Sequence, residues 1–447
     1  MSQMQTGSFR KTLGLVTLFA LMCGAMVGMA WATLIGQLLG FAGPAVLLSV
    51  VIGAGFCVFI GLGYAELTAA LPRVGGEHFF VSRALGPGWG FAVGWLLVLA
   101  YAAMMPGEVI IFSQVLQTIA PSVPRVVTGI AVALFFGLVN ILGMRLSALV
   151  QLVFAAALFT GMGAFIVGGL GDLQAANLQP FLPNGVTGML AVVPIAMLAF
   201  MGFDILPQAV EEVKAPLRKA VMLIPLSIAF VAVFYLGVFL VGAGVVPWDR
   251  LAQSTSPVPI LESAAVALGP RGPAVIVVSG LMGLVTTLNG FVVGASRLMV
   301  GMAQAGVLPR ALGTVNARFG TPHVALLCLT ALGVLGAAFQ QLLLVFQIAS
   351  AAIAVSYLLV SLSVIVLRRR EPDLPRPYRV PAYPWVPLLA ILGSLGALVM
   401  ALLFVDAAGL YIFGGWVALG AVYYLACARR TTTHRGEPAQ PAQVSGA

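Results

Sequence analysis

The chain is a succession of long apolar segments separated by short polar connections. A helix that spans a bilayer needs about 20 predominantly apolar residues, and about twelve segments meet this requirement. They cover residues 12–36, 41–64, 87–118, 124–143, 147–170, 187–210, 219–244, 272–302, 323–339, 341–367, 386–405 and 409–428. Since lipid offers the backbone no hydrogen-bond partners, such segments fold as helices. The sequence therefore predicts an all-α integral membrane protein with about twelve transmembrane helices.

Charged residues are too few to cover a soluble protein of this length. They make up 8% of the 447 residues, against about 25% in ordinary soluble domains, while 61% are hydrophobic. This balance excludes a soluble enzyme, a nucleic-acid-binding domain and a disordered chain. The net charge of +9 therefore does not indicate a nucleic-acid partner, and the expected partner is the lipid bilayer.

The distribution of basic residues predicts the orientation in the membrane. With the N-terminus inside, all but three of the 22 Lys and Arg lie on the cytoplasmic side, the exceptions being Arg125, Arg250 and Arg271. An excess of Lys and Arg marks cytoplasmic loops, so both termini are expected there. Residues 1–11 form the N-terminus and residues 429–447 a disordered cytoplasmic tail. Short loops and tails favour a bacterial inner membrane.

Two of the segments contain residues that interrupt helices. The first holds two glycines, Gly24 and Gly28, in the stretch that ends at Ala30, and the sixth holds Pro194, Gly202 and Pro207. Glycine lowers helix stability and proline removes a backbone donor. Transporters with inverted repeats break a helix at corresponding positions in both halves, and the unwound backbone binds substrate and ion. The alternative is that glycine and proline are simply common in membrane helices.

Five motifs on the predicted cytoplasmic side together resemble those of the amino acid–polyamine–organocation (APC) permeases. They are Tyr64–Leu67 with Leu71–Glu77, Asp204 with Glu211–Arg218, Ser296–Arg297 with Met302–Pro309, Gly320–Pro322, and Arg368–Asp373 with Arg376–Pro381. The resemblance covers roughly residues 10–430. It implies a LeuT-type fold with broken helices one and six, two inverted repeats over residues 12–170 and 187–367, and two peripheral helices over 386–428. It also implies alternating access, usually coupled to protons or sodium.

The sequence departs from the family pattern at two places. The first-helix motif, which resembles Gly-Ser-Gly in relatives, is Gly28-Met29-Ala30 here, so a hydroxyl is lost and a methyl gained. This weakens the expected cradle for a substrate carboxylate. Many relatives also carry a lysine in helix five that mimics a sodium ion, and none occurs between Ser147 and Leu170.

Substrate-binding residues are expected at the two breaks and on the third segment. They are Cys23, Met26, Val27, Gly28, Met29, Ala30, Tyr101, Glu108, Ala199, Phe200, Gly202 and Phe203. Phe200 and Phe203 flank the second break, where they either occlude the substrate or serve only packing.

Glu108 and Asp204 are the two acids deep in predicted spans. A charge at the bilayer centre costs about 3 kcal/mol on insertion scales, so such residues tend to be functional. Glu108 is expected to bind an ammonium group or carry the coupled proton, unless it is merely solvated near a helix end. Asp204 shares one helical face with Gln208 and Glu211, which favours a proton path. Alternatively, Asp204 caps the broken helix.

Two further sets of polar residues are candidates for gating and coupling. Thr286 and Thr287 in the eighth segment are possible sodium ligands, although such hydroxyls often bond only to the preceding turn. Inner-gate ion pairs are expected among Glu211, Glu212, Lys214 and Arg218, which otherwise are charges at a helix end.

These patterns favour a secondary active transporter of amino acids, working by proton-coupled symport or by exchange. A permease for decarboxylated amines such as ethanolamine or a polyamine is the alternative, favoured by Glu108 and the altered first-helix motif. A substrate sensor with the same fold is disfavoured because the tail is short. No enzyme activity, cofactor or metal site is expected. No disulfide-linked heavy chain is expected either, because the loop at 120–125 lacks cysteine.

Overall fold

The computed structural model describes residues 13–73, 75–142, 148–316 and 319–428, without the side chains of 148, 149 and 428. The predicted N-terminal segment 1–11 and the predicted tail 429–447 lie outside the described residues.

The described residues form helices and no strands, apart from one isolated bridge between Leu13 and Val213. The α-helices are α1 Leu15–Met26, α2 Ala30–Ala42, α3 Val46–Ala70, α4 Gly76–Leu85, α5 Pro87–Ile119, α6 Arg125–Ile141, α7 Ala148–Gly169, α8 Gly185–Ala199, α9 Ile205–Ala209, α10 Leu217–Val221, α11 Leu223–Val245, α12 Trp248–Ala252, α13 Ile260–Leu268, α14 Gly272–Gln304, α15 His323–Phe339, α16 Leu342–Arg370, α17 Trp385–Phe404 and α18 Ala407–Tyr423. The predicted all-α fold is confirmed.

Eight helical stretches are long and apolar enough to cross a bilayer. They are Ala30–Ala70, Pro87–Ile119, Val150–Asp172, Leu217–Val245, Ile260–Gln304, Leu342–Arg370, Trp385–Phe404 and Ala407–Cys427. Four shorter apolar helices, α1, α6, α8 and α15, accompany them. The protein is therefore a multi-pass integral membrane protein.

The helices are interrupted at both places where the sequence predicts a break. The chain leaves helical geometry at Val27–Met29, between α1 and α2, and again between α8 and α9. Gly202 in the second break has φ +135°, and a Cβ there would lie 2.8 Å from the backbone nitrogen of Met26. Only glycine permits this approach, so the two breaks pack directly on each other.

Helix α5 is the most deeply buried of the eight stretches, and α18 is the most exposed. Burial of α5 places Tyr101 and Glu108 inside the molecule. The indole rings of Trp95 and Trp416 stack at 4.5 Å and donate to each other's backbone carbonyls, which fixes α18 to α5. The rest of α18 presents aliphatic side chains outward, as a lipid-facing helix does.

Candidate functional site

A cavity of about 70 Å³ lies where the two breaks meet α5. Its wall is mostly aliphatic, with Leu34 and Leu38 of α2, Val46 and Val50 of α3, and Val192 and Ile195 of α8. The residues of α2 and α3 follow the first break along the chain, and the two residues of α8 precede the second break. Among the lining residues that the structure describes, Glu108 supplies the one carboxyl group. The cavity is suited to a small, largely apolar molecule with one polar head.

The predicted substrate residues divide into two groups. Met26, Gly28, Ala30, Glu108, Ala199 and Phe200 line the cavity. The others are buried but do not line it, namely Cys23, Val27, Met29, Tyr101, Gly202 and Phe203. Phe203 instead stacks on Tyr357 at 5.5 Å and meets Tyr64 edge-on at 5.3 Å. Phe200 therefore lines the cavity, whereas Phe203 belongs to an aromatic cluster outside the cavity wall.

Glu108 lies on the unwound backbone of the first break. Its side chain is 2% exposed, so it is not solvated at a helix end. A Cβ on Gly28 would overlap Glu108 Oε1, and the backbone N–H of Met29 donates to the carboxyl. The other oxygen, Oε2, has no hydrogen-bond partner among the described residues. An internal carboxyl thus occupies part of the backbone cradle and retains one free acceptor.

Tyr235 of α11 joins the two breaks and was not singled out by the sequence analysis. Its hydroxyl lies 2.8 Å from the carbonyl oxygen of Met26 and 3.3 Å from that of Ala199, and its ring lines the cavity. It also meets the Phe200 ring edge-on at 5.6 Å. A lone tyrosine in the middle of an apolar segment is the signal that could have identified it, because its hydroxyl needs a partner there.

The candidate sodium ligands both contact the first helix. The hydroxyls of Thr286 and Thr287 lie 3.0 and 2.9 Å from the carbonyl oxygen of Gly24, and the Thr286 hydroxyl also lies 2.7 Å from the carbonyl oxygen of Gly283 in its own preceding turn. The amide of Gln151, on α7, lies beside them, because a Cβ on Gly24 would be 3.1 Å from its Nε2. Asn289 donates to Gln151 Oε1 at 3.3 Å. The junction of α1, α7 and α14 is therefore polar, and Gln151 is a member that the sequence analysis missed.

Asp204 is fully buried at the second break. Its Oδ1 accepts from the backbone N–H of Gly202 at 2.9 Å, inside the break, and it makes no side-chain capping hydrogen bond to α9. Tyr101 donates to the Asp204 carbonyl oxygen at 3.4 Å. Helix α9 is short, and Gln208 on it is buried while Glu211, in the following turn, is exposed. The predicted polar face is therefore buried at Gln208 and open at Glu211.

The candidate inner-gate residues occupy different environments. Glu212 is buried and pairs with Arg297 of α14 at 2.6 Å, while the side chains of Glu211, Lys214 and Arg218 are exposed. Leu13 bonds through its backbone to Glu212 and Lys214, both at 2.9 Å. The segment after α9 is thus held by the start of the described chain and by α14.

Glu66 connects two of the APC-like motifs. It is 1% exposed and forms ion pairs with Arg368 and Arg376, and it accepts from the backbone N–H of Val380 at 2.7 Å. The motif that begins at the end of α3 therefore contacts the motif that begins at the end of α16. This contact joins the end of α3 to the end of α16 on one side of the molecule.

Interrupted apolar helices packed around a buried cavity define a multi-pass membrane protein of the transporter class. The comparison with known families is more specific. The chain belongs to the Amino acid permease family, whose model matches residues 13–425. The predicted resemblance to APC permeases is confirmed.

Curated relatives match along almost the whole chain. The chain is 28% identical to the branched-chain amino acid permease BcaP of Bacillus subtilis (strain 168), with 95% of this chain and 94% of that protein covered. It is also 28% identical to BcaP of Lactococcus lactis subsp. cremoris (strain MG1363), over 92% and 93%. A methylthioribose transporter of Bacillus subtilis (strain 168) is 26% identical, over 96% of each chain.

Proposed function

We propose that the protein is a secondary active transporter of amino acids with apolar side chains, acting at the bacterial cytoplasmic membrane. The observation that carries this proposal is the aliphatic cavity at the two breaks, with Glu108 as its carboxyl group. The names of two relatives, which are branched-chain amino acid permeases, support the same substrate class. The methylthioribose transporter among the relatives shows that a related chain acts on a different small molecule.

The architecture that goes with this function has twelve transmembrane helices in a LeuT-type fold, with both termini cytoplasmic. Breaks at α1/α2 and at α8/α9 support two inverted repeats, because they fall at corresponding positions of two five-helix halves. In alternating access the cavity opens to one side of the membrane and then to the other. The contact of Gly202 with Met26 holds the two breaks together in this conformation.

The substrate's ammonium group pairs with Glu108 in the proposed binding mode. Glu108 Oε2 is the free acceptor beside the cavity. The substrate's carboxylate takes backbone N–H groups in the first turn of α2, since the first amides of a helix have no partner within it. Its side chain extends towards Val46, Val192 and Ile195. The aliphatic wall then selects apolar side chains by burial.

A decarboxylated amine is the second candidate substrate. The position of Glu108 favours it, because its carboxyl already receives the Met29 N–H that a substrate carboxylate would otherwise receive. An amine needs only the ammonium site at Glu108. The two candidates therefore differ in whether the amides of α2 bind a ligand.

A proton is the proposed coupling ion, with Glu108 and Asp204 as its carriers. Both are buried carboxyl groups at the two breaks. Sodium bound near Thr286 and Thr287 is the other candidate, supported by their contact with the Gly24 carbonyl.

Ligand-induced thermal stabilisation of the purified protein tests the substrate class. The matched probes are leucine, 3-methylbutylamine, which lacks the carboxylate, and 4-methylpentanoate, which lacks the amine. A ligand that binds only the folded form stabilises it by about 2.7 kcal/mol at one hundred times its Kd. We expect leucine to stabilise most and 4-methylpentanoate least. Stabilisation by the amine alone establishes the second candidate, and stabilisation by none of them overturns the apolar specificity.

A further inference from the structure

A second buried polar cluster lies apart from the cavity, between α4 and α9. It consists of Glu77 on α4, Gln208 on α9 and Asp204 at the second break, all with no exposed surface. None of them lines the cavity. In the sequence, Glu77 ends the motif Leu71–Glu77 and has no predicted role.

Helix α4 is docked tightly on α9 at this cluster. Gly76 has φ +27°, and a Cβ there would lie 2.7 Å from the Cβ of Pro207. The side-chain amide of Gln208 donates to Glu77 Oε2. The short connection after α3 is thereby fastened to the inner half of the interrupted sixth segment.

Tyrosine hydroxyls surround the two carboxyl groups of the cluster. Tyr64 is within hydrogen-bonding reach of Glu77, and Tyr101 is within reach of Asp204. Gln208 Oε1 and the Tyr357 hydroxyl have no hydrogen-bond partner among the described residues. When both acids are ionised their oxygen atoms can only accept hydrogen bonds, so a proton on one of the two carboxyl groups gives the cluster a further donor.

The electrostatic surroundings of Glu77 also require a proton. The groups that act on it from the packed elements are Tyr64 of α3, Tyr101 of α5, Asp204 and Gln208 of the sixth segment, and Tyr357 of α16. Cys57 of α3 faces Asp204. In the part of the chain that the structure describes, no cation is among them. Two unpaired negative charges buried together are very unfavourable.

The other two titratable residues on α4, His78 and Arg83, have partners outside α4. His78 Nδ1 lies 2.8 Å from the carbonyl oxygen of Gly90 on α5. Arg83 pairs with Glu371 at the end of α16. Neither provides a counter-ion for Glu77.

We infer that Glu77 and Asp204 form a proton-binding site, separate from the substrate cavity, that holds one proton while α4 is docked on α9. Release of the proton leaves two negative charges that repel each other and separates α4 from α9. The inner half of the sixth segment is then free to move. The connection to substrate movement rests on the proposed function, but the proton site itself does not.

The pKa of the Glu77 carboxyl agrees with this site. Burial raises it well above its ordinary value of 4.5, and the negative charge of Asp204 raises it further. A raised pKa of an acid means that the folded protein holds a proton that the unfolded chain has released. The resulting stability is full below pH 4.5 and is lost as the pH rises through the raised value.

Thermal unfolding of the full chain in detergent, without substrate, tests the site between pH 5 and pH 9. While the folded form holds one proton more than the unfolded chain, each unit rise in pH lowers the folding equilibrium constant about tenfold. We expect the wild type to lose stability as the pH rises. We expect Glu77→Gln to lose less, with the difference in the folding equilibrium constant reaching up to tenfold per pH unit. Glu77→Asp retains a titratable group and keeps the dependence. Asp172→Asn, at an exposed acid, follows the wild type.

Asp204→Asn provides a second test if Glu77→Gln does not fold. Removing the neighbouring negative charge makes Glu77 easier to ionise, so the loss of stability moves to lower pH. Identical pH curves for the wild type and either folded variant overturn the site. Because no substrate is present, a failure of transport leaves this result unaffected, and the two failures remain distinguishable.

Discussion

The carboxyl group of Glu108 lies against Gly28, in the space that a side chain at position 28 would fill. Helix α5 and the first break therefore meet through a carboxyl group on one side and bare backbone on the other. Both residues line the cavity, and Glu108 Oε2, which has no hydrogen-bond partner among the described residues, lies beside it.

Gly28→Ala is expected to abolish substrate binding. Its Cβ overlaps Glu108 Oε1, so the carboxyl must leave the break. Gly40→Ala is the matched control, because Gly40 lies on α2, which follows the break, and has open space around it. Titration of leucine-induced stabilisation compares the two. Equal binding by Gly28→Ala and the wild type contradicts the role given to this contact.

Substitutions at Val192 are expected to shift the size preference of the cavity in opposite directions. Val192 is 1% exposed and lines the aliphatic wall. Val192→Ala should favour larger side chains such as phenylalanine, and Val192→Leu should favour smaller ones such as alanine. Loss of one to two methylene groups of contact corresponds to about 1 to 2 kcal/mol. Competition against labelled leucine measures the order, and an unchanged order in both variants places the substrate side chain elsewhere.

Glu66→Gln is expected to destabilise the protein strongly. It leaves Arg368 and Arg376 without their buried partner, and breaking a buried pair costs about 3–5 kcal/mol. Glu371→Gln is the control, since Glu371 pairs with Arg83 where both side chains are about one-third exposed. Such pairs contribute about 0–1 kcal/mol. Chemical denaturation that gives equal losses for the two variants contradicts the account of Glu66.

The Arg83–Glu371 pair also has a predicted pH dependence. The hydrogen bond from Arg83 holds the pKa of Glu371 below its ordinary value of 4.5. The stabilisation is therefore present above that value and is lost as the pH falls below it. Glu371→Gln should remove this acid-side loss, whereas the loss attributed to Glu77 occurs on the alkaline side. Denaturation at pH 3 to 5 separates the two, and an unchanged acid limb in Glu371→Gln is the contrary result.

Replacement of sodium by choline is expected to leave ligand-induced stabilisation unchanged. The Thr286 and Thr287 hydroxyls contact the Gly24 carbonyl oxygen, and the Gln151 amide lies beside them. Polar contacts are thus already present at this junction. Sodium-dependent stabilisation that disappears in Thr287→Val would instead establish the sodium site.

The sequence predicted the breaks and the two buried acids because such residues are rare in apolar helices. Glycine, proline and a lone carboxyl group stand out against a uniform background, so Gly28, Gly202, Glu108 and Asp204 were found. The aliphatic wall was not predicted, since valine and isoleucine occur in every span. Helical faces were hard to assign for the same reason, and Cys23 and Met29 do not line the cavity.

Contacts between distant segments could not be predicted from one sequence. Glu77 and Gln208 are 131 residues apart, and Glu66 and Arg368 are 302 apart. Glu77, Glu66 and Arg368 belong to motifs that were recognised, but the partner of each motif depends on how the helices pack. Glu212 pairs with Arg297 of α14, whereas the sequence predicted a partner within the loop that contains Glu212 itself.

Uptake of labelled leucine into proteoliposomes tests the central claim most directly, namely that this cavity carries an apolar amino acid across the membrane. The account predicts that the wild type accumulates leucine when an inward proton gradient is imposed, that excess valine competes, and that Glu108→Gln does not accumulate it. Uptake no greater than in empty liposomes, for leucine and for the other apolar amino acids, would contradict the account.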